Sequence, residues 1–139
     1  MSNGELADQA TVENTRKLLS DSWNISDRAG ADLILEQLLT SARAGGSAWD
    51  YSRVMSNLGY YYLAGYYVET EALDRGLEIA KEIQALYGSW DVFAESYLAG
   101  YASWSGDSSE SRRQIYESLK QSSWNPYALD WNLPLEKSW

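Results

Sequence analysis

Asp50, Arg53 and Asn57 follow one another at three- and four-residue steps inside the stretch 47–66. That spacing puts them along one side of a helix, where a carboxylate, a guanidinium and an amide could together hold the polar group of a ligand. Glu95, set among aromatic residues farther along, would add a second carboxylate or partner Arg53 across a bundle. With Asp50 it makes the carboxylate pair that glycoside hydrolysis requires. Each residue also has a plainer role. Asp50 can serve the exposed amides of a first helical turn, an Asp50–Arg53 ion pair can orient the helix, and Glu95 can be a solvated helix-face glutamate. The plainer roles are favoured, because no second catalytic group stands out. The four residues are therefore read as a polar cluster, structural or ligand-holding, and no catalytic residue is assigned.

The chain has no histidine and no cysteine. The commonest general base, the Ser-His-Asp triad, thiol catalysis and nearly every zinc or haem site are thereby excluded, and no metal or cofactor is expected. Serines are plentiful, but without histidine or a Gly-x-Ser-x-Gly elbow none is an activated nucleophile. Gly45-Gly46 lacks the lysine of a phosphate-cradling loop. An enzyme is the less favoured class.

Seven Trp and eleven Tyr accompany a single Phe. Trp and Tyr suit half-buried seams and binding faces, since their N–H and O–H groups seek partners. Trp23, Trp49, Trp90 and Trp104 are assigned mostly to the core. The run Tyr60-Tyr61-Tyr62 and then Tyr66-Tyr67 is harder to bury, because consecutive helical residues point around the axis. Some of these side chains must reach the surface or lie under the C-terminal segment. Tyr60, Tyr61, Tyr66 and Tyr67 are thus candidate binding residues, of the type enriched at interface hot spots.

The net charge is -9, and residues 45–106 hold eight Asp/Glu against three Lys/Arg. Nucleic acid is a poor partner for such a chain, and a basic protein or cationic ligand a better one. No apolar run approaches a membrane span, and the first residues lack the basic and apolar regions of a signal peptide, so the expectation is a cytoplasmic protein. A homo-oligomer is compatible with the composition.

The elements that must position these residues read as helices throughout. Residues 1–10 are polar and expected to fray, leaving 11–139 as a single domain. Thr11 is taken as the first N-cap, with a weakly amphipathic helix to about Asp21-Ser22 and a connector Trp23-Asn24-Ile25. Ser26 or Asp27 caps a second helix to about Ala44. The third, 47–66, presents Tyr51, Val54, Met55, Leu58, Tyr62 and Gly65 as its buried face, and the rest of the chain is expected to pack on it. A fourth starts near Glu69 and ends at Gly88, with Leu73, Ile79 and Leu86 in its buried stripe. Ser89 caps a fifth that exposes an aromatic face from Trp90 to Trp104 to its neighbours. After the loop Ser105–Ser109 comes a polar sixth helix, about 109–121, burying Ile115 and Leu119. Pro126 and Pro134 then exclude a continuous helix. Trp124, Leu129 and Trp131 are expected to anchor an extended strap over an all-α bundle of about six helices.

Leu19-Ser20 with Trp23-Asn24-Ile25, Ala48-Trp49-Asp50 with Arg53, Gly65-Tyr66, Glu71-Ala72, Ser89-Trp90, Tyr97-Leu98 with Gly100, Trp104, and Ser123-Trp124 with Trp131 form an ordered set along nearly the whole chain. In order and spacing this set resembles a bacterial family named domain of unknown function 1266. Asn24 replaces a usual glycine and Ser123 a usual proline. The resemblance implies an all-helical bacterial protein and carries over no catalytic residues. For function, the residues favour a non-enzymatic interaction module, such as an immunity-type protein that binds a basic partner through an acidic, tyrosine-rich surface. The alternative is a small-ligand-binding protein or hydrolase working from Asp50, Arg53 and Glu95.

Overall fold

The computed structural model describes residues 8–139. Six helices run α1 (Gln9–Trp23), α2 (Arg28–Arg43), α3 (Ala48–Leu63), α4 (Glu69–Tyr87), α5 (Trp90–Ser105) and α6 (Glu110–Lys120), followed by a single 3-10 turn, Pro126–Ala128. No strand occurs among the described residues, and none of their helices is long and apolar enough to cross a membrane. Most of the expected frayed segment, residues 1–7, lies outside the described residues. Asp8 accepts the Thr11 N–H at 2.9 Å and caps α1, so Gln9 and Ala10 are helical and the start precedes Thr11.

The starts of α2 and α5 follow from local side chains. Asp27 accepts the Gly30 N–H and Ser89 the Val92 N–H, each satisfying a donor that the first helical turn leaves free. Trp23 belongs to α1 rather than to a connector, and the helix stops at Asn24, whose φ of 57° is left-handed. Asparagine is one of the few residues besides glycine that tolerate that conformation. At the end of α3, Gly65 (φ 81°) donates to the Tyr62 carbonyl while Tyr66 donates to Tyr61, closing the helix with paired reverse hydrogen bonds. Arg16 of α1 then fixes this turn through a 2.7 Å hydrogen bond to the Ala64 carbonyl.

Helix α3 is the hub: α1, α2, α4 and α5 all pack on it, whereas α6 rests on α5 and the 3-10 turn. The continuous core lies between α1, α2, α3 and α4, with Leu19, Ile25, Leu35, Leu39, Tyr51, Val54, Leu58, Tyr61 and Ile79 buried. Burial of such side chains stabilises the fold by about 1.5–3 kcal/mol each relative to exposure. The helical phase differs in places from the apolar pattern. Tyr61 rather than Tyr62 is fully buried on α3, Leu73 and Leu86 of α4 are exposed, and α6 buries Tyr116 while Ile115 stays 60% exposed.

The chain after α6 is the expected strap, an irregular segment laid over α4 and α5. The Gln84 side chain donates to the Trp131 and Leu133 carbonyls, the Trp131 indole donates back to the Gln84 carbonyl, and the Trp90 indole donates to Leu129. Its end is held by Asp74, which accepts the Trp139 indole N–H and pairs with Lys137. Trp131 anchors the strap as expected. Trp124 does not: it is 74% exposed, and Leu129 is 61% exposed.

Candidate functional site

The four residues of the expected polar cluster do four separate things. Asp50 accepts the Ser47 N–H at 2.8 Å and the Ser47 hydroxyl at 3.2 Å, sealing the start of α3. A Cβ on Gly46 would stand 2.7 Å from the same Asp50 oxygen, so this cap closes only over a glycine. Arg53 makes no ion pair among the described residues. Its guanidinium lies over three indoles instead, 4.9 Å from the Trp23 centroid, 5.6 Å from Trp104 and 5.9 Å from Trp49. Asn57 is buried in the core, donating to the Tyr61 hydroxyl at 3.3 Å. Glu95 is solvent-exposed and takes a two-pronged contact from Arg113 at 2.5 and 3.0 Å. That contact holds its carboxyl below the usual range. Glu95 thus partners Arg113 of α6 rather than Arg53, and the carboxylates of Asp50 and Glu95 are each committed elsewhere.

The tyrosine run also divides. Tyr60 and Tyr66 are half-buried, but Tyr61 is 0% and Tyr67 7% exposed, so these two cannot serve on an open face. The turn at Gly65 folds the chain back and sets the Tyr67 ring 5.2 Å from that of Tyr61. Arg28 covers the ring at 4.5 Å, and the hydroxyl donates to Asp32. Burial, with the neighbouring Asp32 carboxylate, pushes the Tyr67 phenol far above its ordinary value, and burial likewise raises that of Tyr61.

A different set of residues does converge. Trp49 of α3 touches Tyr97, Tyr101 and Trp104 of α5, with ring centroids 5.4, 5.4 and 5.3 Å away. Arg53 sits on one side of this group and Arg112 of α6 on the other, 3.9 Å from the Tyr101 centroid and 5.6 Å from Trp49. Two cations thus share one indole, an arrangement stabilised by the ring quadrupoles. Trp104, expected in the core, is 61% exposed. It sits in the last turn of α5, where Trp49 and Arg53 of α3 meet one part of the ring and the rest faces solvent.

Beside this array a cavity of about 270 Å³ opens between α3, α5, α6 and the 3-10 turn, with Trp90, Phe93, Tyr97, Arg112, Ile115 and Tyr127 among its walls. Tyr116 closes its inner side, its hydroxyl donating to Asp91 at 2.7 Å. Burial and that carboxylate push the Tyr116 phenol well up. Sequence reasoning passed over Arg112 because α6 reads as a polar outer helix. A signal was present: Arg112, Tyr116 and Leu119 recur at four- and three-residue steps, which puts Arg112 on the side of α6 that Tyr116 buries.

The family model described as "Protein of unknown function (DUF1266)" matches residues 40–131. The chain belongs to the DUF1266 family. Helices α3 to α6, and with them the Trp49–Arg53–Trp104–Arg112 array and the cavity, fall inside the DUF1266 match, while Trp23 precedes it. No curated protein and no solved structure matches the chain.

Proposed function

We propose that this DUF1266 chain is a non-enzymatic protein-interaction module of the bacterial cytoplasm, and that its contact face is the Trp–Arg array rather than the tyrosine run. The observation that carries this reading is Trp104, 61% exposed yet fixed in place by Trp49 beneath it and Arg53 beside it. Trp, Tyr and Arg are the residues that dominate interface hot spots, and a rigid indole loses little conformational freedom on binding. Asp50 lies on the shallow depression bordered by Trp49 and Trp104, so the face carries an acid beside its arginines. The net charge of -9 favours the approach of a basic partner at long range. An immunity-type role, in which the module occupies a toxin, is one form of this reading.

The hydrolase alternative draws no support from Asp50 and Glu95, which serve a helix cap and an ion pair. Its ligand-binding half keeps support from the cavity at Arg112.

The test is an affinity capture at low and high salt with wild type and Trp104→Ser as paired baits. A stoichiometric protein held by the wild type, weakened by salt and lost from Trp104→Ser is the expected result. The same protein on both baits, or an empty wild-type bait, overturns the assignment.

A further inference from the structure

The geometry points to a binding site for a small apolar carboxylate in the cavity between α5, α6 and the 3-10 turn, with Arg112 receiving the carboxylate. This goes beyond the interaction face and does not rest on it.

Three features carry the assignment. The first is the uncommitted charge of Arg112. Arg28, Arg43, Arg75 and Arg113 each pair with a carboxylate, whereas Arg112 has none within ion-pair distance among the described residues. Its Nη1 donates to the Tyr97 hydroxyl at 2.6 Å, and the Tyr101 ring holds the guanidinium face at 3.9 Å. Hydrogen bonds to the Tyr97 and Tyr101 hydroxyls thus use part of the five N–H donors of the guanidinium and orient the fork before any ligand arrives. An acceptor with two oxygens in one plane complements such a fork.

The second is how α6 treats the acids of α5. The carboxylates nearest the cavity along that helix, Asp91 and Glu95, would repel an anion if left free. Asp91 instead accepts from the Tyr116 hydroxyl and from Lys120 at 3.1 Å, and Glu95 is held by Arg113. Helix α6 therefore engages both acids and leaves Arg112 without a carboxylate partner, while its own Glu117 shares Lys120 at 3.6 Å.

The third is size and lining. A dry cavity of about 150 Å³ holds benzene, so about 270 Å³ accommodates a single ring with a short chain. Trp90 and Tyr127 meet edge-on at 5.2 Å, and Tyr116 and Tyr127 at 4.7 Å, so the inner wall offers ring edges and faces to an aromatic body. Arg112 lines the same space, placing the anion of such a ligand beside the guanidinium and its ring among the aromatics.

The experiment is isothermal titration calorimetry of the full chain with 3-phenylpropanoate and, separately, 3-phenylpropanamide. The acid is expected to bind saturably and the uncharged amide at least about tenfold more weakly, the usual worth of a charge-assisted hydrogen bond. Arg112→Gln is expected to reduce the acid to the level of the amide. Ile115→Trp, at an exposed wall position that leaves the core untouched, is expected to abolish binding of both by filling the space. Acid and amide binding alike, no binding of the acid at all, or acid binding unchanged in either variant overturns the proposal. Should Arg112→Gln unfold by circular dichroism, Ile115→Trp decides alone. The peptide acetyl-Gly-Gly-Phe with a free terminus identifies the source: tighter binding than 3-phenylpropanoate marks a chain end as the ligand, and weaker binding a free small acid. The paired-bait capture reads Trp104 and reports separately on the interaction face.

Discussion

The two flanks of α3 are built differently. On the flank of α1, α2 and α4, every member of the main apolar cluster is buried, and the polar partners are structural: Arg28 to Glu71, Arg43 to Glu82, Tyr67 to Asp32. On the flank of α5, α6 and the strap, burial is confined to Ala94, Leu98 and Tyr116, while Trp104, Ile115, Trp124 and Leu129 face solvent. Aromatic rings are abundant there, but they contact one another and arginines rather than closing a core. The first flank also exposes Leu33, Leu73 and Leu86 but carries the continuous core, whereas the second leaves several large apolar side chains where they gain little until something covers them.

The comparison breaks most visibly at Tyr61. Tyr61→Ala removes a fully buried ring from the cluster and leaves the Asn57 amide without its hydroxyl partner. A loss of about 3–5 kcal/mol in urea unfolding is expected. Trp104→Ala removes a comparable ring from the other flank and is expected to cost only about 1 kcal/mol, from its contacts with Trp49 and Arg53. Similar losses at both positions would mean that the α5 flank is as much a part of the core as the α2 flank.

Most helix starts and stops were legible because their causes are local, although α1 is capped by Asp8 rather than Thr11 and runs on through Trp23. Asp27 and Ser89 sit one residue before helices that begin where their side chains can reach the first free amides, and Gly88 lies just past the end of α4. The all-α class and the strap followed from the same short-range signals and from Pro126 and Pro134. The site was far less legible, because it depends on pairings set by packing. Glu95 and Arg113 meet from two helices, and nothing in either segment names the other. Consecutive tyrosines gave no phase, and the reversal at Gly65 that buries Tyr67 becomes decisive only once α2 stands beside it. On α6, Ile115 is the more apolar residue, yet Tyr116 is buried because its ring also meets Tyr127 of the strap, a contact invisible from the helix alone.

The junction of the two flanks is the next most sensitive place. Gly100 of α5 packs against the start of α3, where an added Cβ would lie 2.0 Å from the Ser47 hydroxyl oxygen and 2.7 Å from the Trp49 Cβ. Close by, the Ala48 N–H donates to the Ser96 hydroxyl at 2.9 Å. Gly100→Ala must push α5 away from α3, straining this bond and the ring contacts of Trp49. Helix propensity alone would make the change favourable by about 1 kcal/mol. Overpacking is expected to win, with a net loss of about 1–3 kcal/mol and a blue- or red-shifted tryptophan emission as the indole environment changes. A stabilised variant with unaltered emission would show that α5 moves freely on α3.

The smallest effect is electrostatic and should differ between the flanks in the same direction. Glu82 is held below its ordinary value chiefly by the hydrogen bonds from Arg43, at 3.1 and 2.5 Å, and its side chain is 30% exposed. A carboxylate whose pKa is depressed on folding contributes stability that is present above its unfolded value near 4.5, and that is lost as pH falls through the lower folded value. The difference in urea midpoint between pH 7 and pH 3 should therefore shrink in Glu82→Gln, by about 0.5–1 kcal/mol once solvent screening is allowed for. Glu95 is depressed in the same sense by Arg113, but its side chain is 60% exposed and water competes for both groups. Glu95→Gln should narrow the same gap less than Glu82→Gln does. Its larger consequence should lie in anion binding, because it removes a carboxylate from α5, the helix that forms one wall of the cavity. Tighter binding of 3-phenylpropanoate with little change in stability is the expected signature, and a stability loss matching that of Glu82→Gln would erase the distinction between the flanks.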